Sequence, residues 1–574
     1  MNKNIFKVQK RLRDEKYDFI LITNSDLHLN ENPNLINKDI YNLTGFDCSN
    51  GYLLIYQKKI IFFSDSRYLL AARKFFKKNI EIIDLQICSI SKFISNSKKP
   101  LVGIVDTKLI SYNMFKLLKE QLSKKNILLK PQNKFFFKKC YYPDFNLSYA
   151  FSLPSAYAPR YFQENINWVR RRLDNDGILI WSNSSIAYLL NIRSFELSNS
   201  TKPFSGLFIF KNQNKPILIT NNFELTKIKK IANFFNVMKQ NKFIALISQK
   251  KIKNISCNLN EINYEIFEKL SKKFLIQSSK INIEKLKSKK TTIEVKNIKS
   301  CHSEDAIALL KFIYLIKNKK IKLQSEYQIA NLLYRLRKEG VNFFRNSFDY
   351  ISAFDSNAAI IHYKPTKQKS EKFNHNKLLL IDSGAHYLEG TTDVTRVISL
   401  DTKINKSIKN KYTLILKSII RLENYKFKKN VSSFTIDSYV RNYLMKYNLY
   451  YGHSTGHGVG YFNDVHEKYP IISNQLDHKI FHNNLFSIEP GFYLPNKYGL
   501  RIENLYFSKI YRDTCMLENI TKVPYETGLI EWSILNRKEI DHLNQFHLNI
   551  INSFKERLPT EVIDYFKKNL IYKL

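Results

Sequence analysis

At 574 residues the chain exceeds what one hydrophobic core usually fills, and length alone sets a prior of three or four domains. Its 44% hydrophobic and 14% aromatic content excludes a disordered or fibrous chain, and no run reaches the ~18–20 apolar residues that cross a bilayer. Lysine and arginine number 92 against 50 acidic residues, a net charge of +42, but the lysines are strewn among Asn and Ile along the whole length. That reads as composition rather than as a footprint for nucleic acid, so neither a specific nucleic acid nor a membrane is expected as a partner.

The N-terminal stretch "MNKNIFKVQKRLRDEKYD" predicts a charged amphipathic helix with no apolar signal core behind it. Two later segments resemble each other. "DFILITNSD" (18–26) leads into "IYNLTGFDCSNGYLLIYQKKIIFFSDSRY" (40–68), and "GILIWSNSS" (177–185) leads into "AYLLNIRSFELSNSTKPFSGLFIFKNQNKPILITNN" (187–222). Each reads as strand, polar turn, short helix, loop and hairpin, and each follows a basic helical stretch. An internal repeat of about 150–160 residues is expected, giving two α/β domains, 1–150 and 151–288. Six scattered cysteines, Cys48, Cys88, Cys140, Cys257, Cys301 and Cys515, show no C-x-x-C pair and read as reduced thiols of a cytoplasmic protein.

The densest basic region, 250–299, alternates charged with apolar residues and predicts a solvated helix face. Long helical periodicity then begins, and "SEDAIALLKF" predicts a helix start capped by Ser303. Residues 289–574 read as one large domain, with a C-terminal tail from about 515. Its second half is rich in strand-like runs, and nearly all the candidate chemistry lies there.

Five residues of that domain stand out: Asp382 in "LLLIDSG", Asp393 in "TTDVTRV", His457 in "HSTGHGVG", Glu489 in "FSIEPGFYL" and Glu503 in "LRIENLYF". Every acid sits in or beside an apolar, β-branched run, where a carboxylate is partly buried and costly unless neutralised. Singly, each has an ordinary reading, since Asp before Ser-Gly and Glu before Pro-Gly commonly form turns. Together, four carboxylates and an imidazole make a hard, oxygen-rich donor set suited to Mn²⁺, Co²⁺ or Zn²⁺ in a two-metal site. His453 and His457 are four apart, but Gly456, Gly458 and Gly460 argue against a zinc-binding helix.

In their order and context these motifs resemble the metal-binding signature of the creatinase-like, or pita-bread, peptidases. "NAAIIHYKP" (357–365) and "YFNDVHEKYP" (461–470) resemble the aminopeptidase P branch, in its long three-domain form. The resemblance implies two creatinase-type α/β domains followed by an α+β pita-bread catalytic domain. It implies hydrolysis of the bond between an N-terminal residue and a following proline, with peptides carrying proline in second position as substrates. Asp382 would hold one metal, Asp393 and Glu503 would bridge both, and His457 and Glu489 would complete the second. Manganese is the first expectation, with cobalt or zinc as alternatives. A water or hydroxide shared by the two ions would be the nucleophile, with Glu489 receiving its proton. His466 would steady the oxyanion and help bind substrate, His362 would bind substrate and shuttle a proton, and His453 would line the proline pocket. A homodimer is implied as well.

Some positions depart from the family pattern. Ser454 and Ser194 stand where glycine is common, Val397 where threonine is frequent, and "HEKYP" replaces His-Glu-Gly-Pro. These touch substrate preference rather than the ligand set. The competing expectations are a prolidase acting on Xaa-Pro dipeptides, a metal-free creatinase-type amidinohydrolase, and a metal-free binding module on the same fold. If the charge is compositional, short DNA or RNA should bind weakly, without sequence preference and with steep salt dependence. A salt titration of binding checks this, and a tight complex surviving ~0.15 M salt would overturn it.

Overall fold

Phe19–Thr23, buried at all five positions, is the first strand of the computed structural model. That structure describes residues 3–77, 80–133, 149–318, 320, 325–372, 377–401 and 403–572. A run apolar on both faces must be covered on both faces and paired at both edges. Tyr52–Tyr56 pairs with it antiparallel and Leu101–Asp106 parallel. Ile60–Ser64, Glu81–Asp84 and Ile127–Gln132 complete a six-stranded mixed sheet.

A second sheet repeats the plan. Gly177–Ile180 lies between antiparallel Ser205–Phe210 and parallel Asn254–Cys257, and Ile217–Thr220, Asn236–Met238 and Leu275–Ser278 extend it. Strand order and direction match neighbour for neighbour, so the similarity of two short sequence segments is present as a repeat of topology. Both sheets belong to one compact unit, Met1–Ile283. Within it, the His28 ring stacks on Trp181 at 4.4 Å and its Nδ1 meets the Trp181 carbonyl at 3.0 Å. Burial pushes the pKa of His28 down from 6.5 to about 4, so the ring packs there uncharged.

The second unit, Glu284–Leu574, corrects two expectations. The helix Thr292–Lys317 is capped by Thr291 in a capping box with Glu294, not by Ser303. Ser303 lies inside the helix, where its hydroxyl donates to the Lys299 carbonyl; the T-x-x-E signal upstream is the stronger start. The basic region is not uniformly solvated either. Lys287 and Lys290 are buried because buried carboxylates face them.

The strand Leu378–Ser383 organises this unit. It runs antiparallel to Ile351–Phe354 on one side and Val394–Ser399 on the other. Its alternate residues serve two cores, as a period of two demands. Leu378 and Leu380 pack with Ile415, Ile419 and Val440 of the helices Lys406–Glu423 and Ser433–Met445. Leu379 and Ile381 pack with Leu309, Ile313 and Leu333 of Thr292–Lys317 and Glu326–Lys338. A six-stranded sheet contains Gly456–Gly458, Glu467–Ile472, Leu485–Ile488, Asn504–Tyr511, Thr514–Asn519 and Phe427–Lys428. A hairpin, Gly491–Leu494 with Tyr498–Arg501, continues from it.

The five described cysteines are all free thiols, and Cys140 lies outside the described residues. No helix among the described residues is long and apolar enough to cross a membrane.

One glycine is dictated by close approach. A Cβ at Gly456 would stand 1.7 Å from the Ser487 carbonyl oxygen, so the backbone itself would have to move. Gly456→Ala is expected to destabilise this unit by about 1–3 kcal/mol or more, read as a lower denaturation midpoint at unchanged m-value.

Candidate metal centre

The register of three strand pairs brings the acids together. Asp382 pairs with Thr395, and Asp393 directly precedes the strand that Thr395 belongs to. Glu489 follows Ile488 and Glu503 precedes Asn504, and Ile488 and Asn504 are the last rung of their ladder. The next ladder begins at Gly491 opposite Arg501. Glu489 and Glu503 thus flank the break between two ladders. The Glu503 N–H donates to the Thr395 carbonyl at 3.2 Å, and the Glu489 N–H to the Thr455 carbonyl at 2.7 Å. These bonds tie the Asp382 strands, the glutamates and the His457 segment into one frame.

Three overlapping groups have donor atoms within 4.8 Å of one another: Asp382, Asp393 and Glu503; His457, Glu489 and Glu503; and Asp393, His457 and His466. All five residues expected as ligands are in this cluster, and His466 joins it. His457 Nε2 lies 3.5 Å from Asp393 Oδ2 and 3.4 Å from Glu489 Oε1. Its Nδ1 donates to the Gly458 carbonyl at 3.0 Å, which directs the Nε2 lone pair toward the acids.

His453 and His362 are placed differently. His453 donates from Nδ1 to the Ser454 carbonyl and accepts at Nε2 from the Tyr493 hydroxyl, 2.9 Å away. His362 is half-buried and follows Ile361, whose carbonyl accepts from Arg501 Nη2 at 3.5 Å.

Sequence reading missed Arg501. It is buried and bonds Asp382 Oδ2 through Nη2 at 2.6 Å, Tyr493 through Nη1 at 2.9 Å and Thr395 through Nε at 3.2 Å. Thr395 in turn donates to Glu503 Oε2 at 2.8 Å. One cation therefore orients Asp382 directly, Glu503 through Thr395, and His453 through Tyr493. The signal was present in "LRIEN": Arg501 and Glu503 alternate with Leu500 and Ile502, so both polar groups point to one side of an extended chain.

The electrostatics follow from crowding and burial. Burial pushes the Asp393 carboxyl well above its usual range, and the Asp382 charge adds to this. Burial does the same to Glu503, with Asp393 and Glu489 adding. Glu489 is pushed up to about 7, chiefly by burial, with Arg501 opposing and Asp382 reinforcing the shift. Asp382 Oδ1 is buried without a hydrogen-bond partner. Hard oxygen donors with one oriented imidazole and an unpaired buried oxygen are a set that divalent cations fit.

The sign of the pH dependence is fixed by these shifts. Carboxyls raised in the folded state keep protons that the unfolded chain has lost, so the metal-stripped protein loses stability as pH rises from about 5 through about 7. Divalent cations must displace those protons, so they bind more tightly at higher pH. The gain in melting temperature on adding metal should therefore grow from pH 5 to pH 8 in parallel scans. A gain that stays flat or shrinks would contradict the arrangement.

Residues 296–508 match the family model of metallopeptidase family M24, and 513–570 that of the C-terminal region of this peptidase. Residues 5–132 and 142–294 each match a creatinase/prolidase N-terminal domain. A Saccharomyces cerevisiae relative named Xaa-Pro aminopeptidase FRA1 is 33% identical over 416 residues, 66% of this chain and 54% of that protein. A Podospora anserina relative named Xaa-Pro aminopeptidase P is 39% identical over 280 residues, 46% of this chain and 41% of its own length. The chain thus spans about half the length of these curated relatives. A Tuber melanosporum relative of the same name is 26% identical across 95% of this chain and 94% of its own. The X-prolyl aminopeptidase of Caenorhabditis elegans, described as a cytosolic enzyme with a di-nuclear active site, shares the fold with a TM-score of 0.91 over 99% of both chains at 22% identity. Family models that together run from residue 5 to residue 570, laid over a cluster of buried acids and histidine, place this chain in metallopeptidase family M24, with two creatinase-type domains ahead of its catalytic unit.

Proposed function

We propose that this protein is a cytosolic metallo-aminopeptidase that cleaves between an N-terminal residue and a following proline. The observation that carries this reading is the convergence of buried Asp382, Asp393 and Glu503 with half-buried Glu489 and His457 in one cluster. Relatives named Xaa-Pro aminopeptidase supply the substrate class. Fold likeness to the X-prolyl aminopeptidase extends over 99% of the chain, whereas a prolidase from Pyrococcus horikoshii is matched over 64%. That extent marks the long three-domain form, and the names of the relatives favour aminopeptidase over dipeptidase.

Asp382 would hold one divalent ion, His457 and Glu489 the other, and Asp393 and Glu503 both, with Mn²⁺ first among the candidates. When bound, the ions supply Lewis-acid polarisation of the scissile carbonyl and make water a stronger acid. The remaining work belongs to side chains. Glu489 takes the proton from the attacking water. His466, beside Asp393 and His457, hydrogen-bonds the developing oxyanion. His362 binds the substrate and carries a proton. His453, its ring held by Ser454 and Tyr493, lines the proline pocket. Proline needs such a pocket because it lacks an N–H and has a fixed φ. A homodimer is the proposed assembly.

The test is metal-stripped protein with Mn²⁺, Co²⁺ or Zn²⁺ restored, assayed on Xaa-Pro dipeptides and Xaa-Pro-Xaa peptides. Cleavage of the longer peptides, dependent on added metal, is expected; cleavage of dipeptides alone would favour a prolidase. Asp393→Asn and Glu503→Gln are expected to fold, to lose essentially all hydrolysis and to bind fewer than two metals per chain, because an amide cannot replace a shared carboxylate. Metal counting by mass spectrometry that found two ions with near-normal turnover would end the assignment.

A further inference from the structure

Behind His466 lies a charged cluster that the metal centre does not use. His466 directly precedes the strand Glu467–Ile472, and successive side chains of an extended chain point to opposite faces. His466 faces the acids, its ring perpendicular to that of His457 at 4.4 Å. The Glu467 carboxylate is buried and divided between two lysines: Oε1 lies 3.2 Å from Lys287 Nζ and Oε2 lies 3.1 Å from Lys290 Nζ. Both lysines are themselves buried. Lys287 has Glu284 as a second partner at 3.1 Å, and Lys290 Nζ donates to the Lys287 carbonyl at 3.1 Å. The carboxylate is therefore fixed in orientation as well as position, because each oxygen has its own cation.

The same short segment holds the surrounding loop at other points. Asn297 Nδ2 donates to the Tyr461 hydroxyl at 2.9 Å. The Lys290 N–H donates to the Asn483 carbonyl at 3.0 Å, and Lys289 forms a β-bridge with Asn484. Inside the loop, the Gly460 N–H donates to the Asp464 carbonyl at 2.9 Å, which brings its two ends together just before His466.

We infer that Lys287 and Lys290 are positioning residues for His466: acting through Glu467, they fix the backbone from which the histidine projects and so set where its ring meets the substrate. This rests on the hydrolytic role proposed for His466. Three charges kept out of water hold their geometry only while all partners are present, so removing one lysine frees the backbone at Glu467 without touching a ligand of the metal centre.

The test uses full-length, metal-loaded Lys290→Met. The expected result is a fall in kcat on an Xaa-Pro-Xaa peptide of up to about 100-fold, with KM changed less than about twofold and metal content unchanged. In a His466→Ala background the same substitution should have no further effect on kcat, since the two act as a unit. A merely structural lysine would lower both backgrounds by the same factor, and that outcome would overturn the inference.

A second readout does not depend on activity. With histidine labelled at Cε1 and the protein loaded with diamagnetic Zn²⁺, the NMR signal lost in His466→Ala identifies His466. That signal should shift or broaden in Lys290→Met while the His453 signal stays in place, and an unmoved His466 signal overturns the inference. Should the wild type fail to cleave any Xaa-Pro peptide, the proposed function falls while this arm still decides whether the lysines position the ring. If Lys290→Met does not fold, Lys287→Gln, which leaves Lys290 on the carboxylate, takes the same measurements with the same two outcomes.

Discussion

Four carboxylates gathered in one buried volume are the constraint on which this catalytic unit is built. Each would be costly alone in such surroundings, and each makes the next more so. The protein answers with geometry and charge. Arg501 takes Asp382 directly and reaches Glu503 by way of Thr395. Protons retained by Asp393, Glu489 and Glu503 relieve the remaining repulsion in the metal-free chain. A cluster held in this way is unfavourable for folding by itself and becomes favourable when cations replace the protons. Stability and metal affinity are thereby two readings of one free energy.

The surrounding architecture can be understood as what keeps those acids from drifting apart. Three separate strand pairings deliver them; the backbone bond from Glu503 to Thr395 crosses between two sheets at the centre, and the bond from Glu489 to Thr455 extends the pairing of Leu485–Ile488 with Gly456–Gly458. Helices cover both faces of the Leu378–Ser383 strand, so the segment bearing Asp382 has little freedom to shift. On the far side, the lysine pair beneath Glu467 extends the same logic to His466. Charge buried away from the metal centre fixes the backbone that charge inside it requires.

Legibility in the sequence tracked distance along the chain. The acids were visible because each lies in or beside an apolar run that reads as a strand without reference to anything else. The repeated sheets were visible because each half carries its own strand, turn and hairpin signals. What stayed hidden depends on partners far away in sequence. Lys290 and Glu467 are separated by 177 positions, and nothing near residue 290 distinguishes a buried lysine from its solvated neighbours. Arg501 is 119 positions from Asp382; its place in an alternating strand was readable, its target was not. The misplaced helix start has a different cause. Ser303 carries the local signature of a cap, but the capping box at Thr291 and Glu294 begins the same helix earlier, and a serine inside a helix can satisfy its hydroxyl on the preceding turn.

The placing of Asp382 on a strand rung, and of Glu489 and Glu503 beside the last rung of another ladder, also shapes how this fold can vary. Because alternate residues of a strand face opposite ways, one residue gained or lost inside Leu378–Ser383, next to Asp382, would turn that ligand to the wrong face while leaving the apolar pattern nearly intact. Substitution is therefore an open route of divergence in these strands, and insertion is a closed one. Length changes are left to the connections outside these strands. Evolution of new specificity on this scaffold would proceed by remodelling loops around a centre whose spacing is frozen.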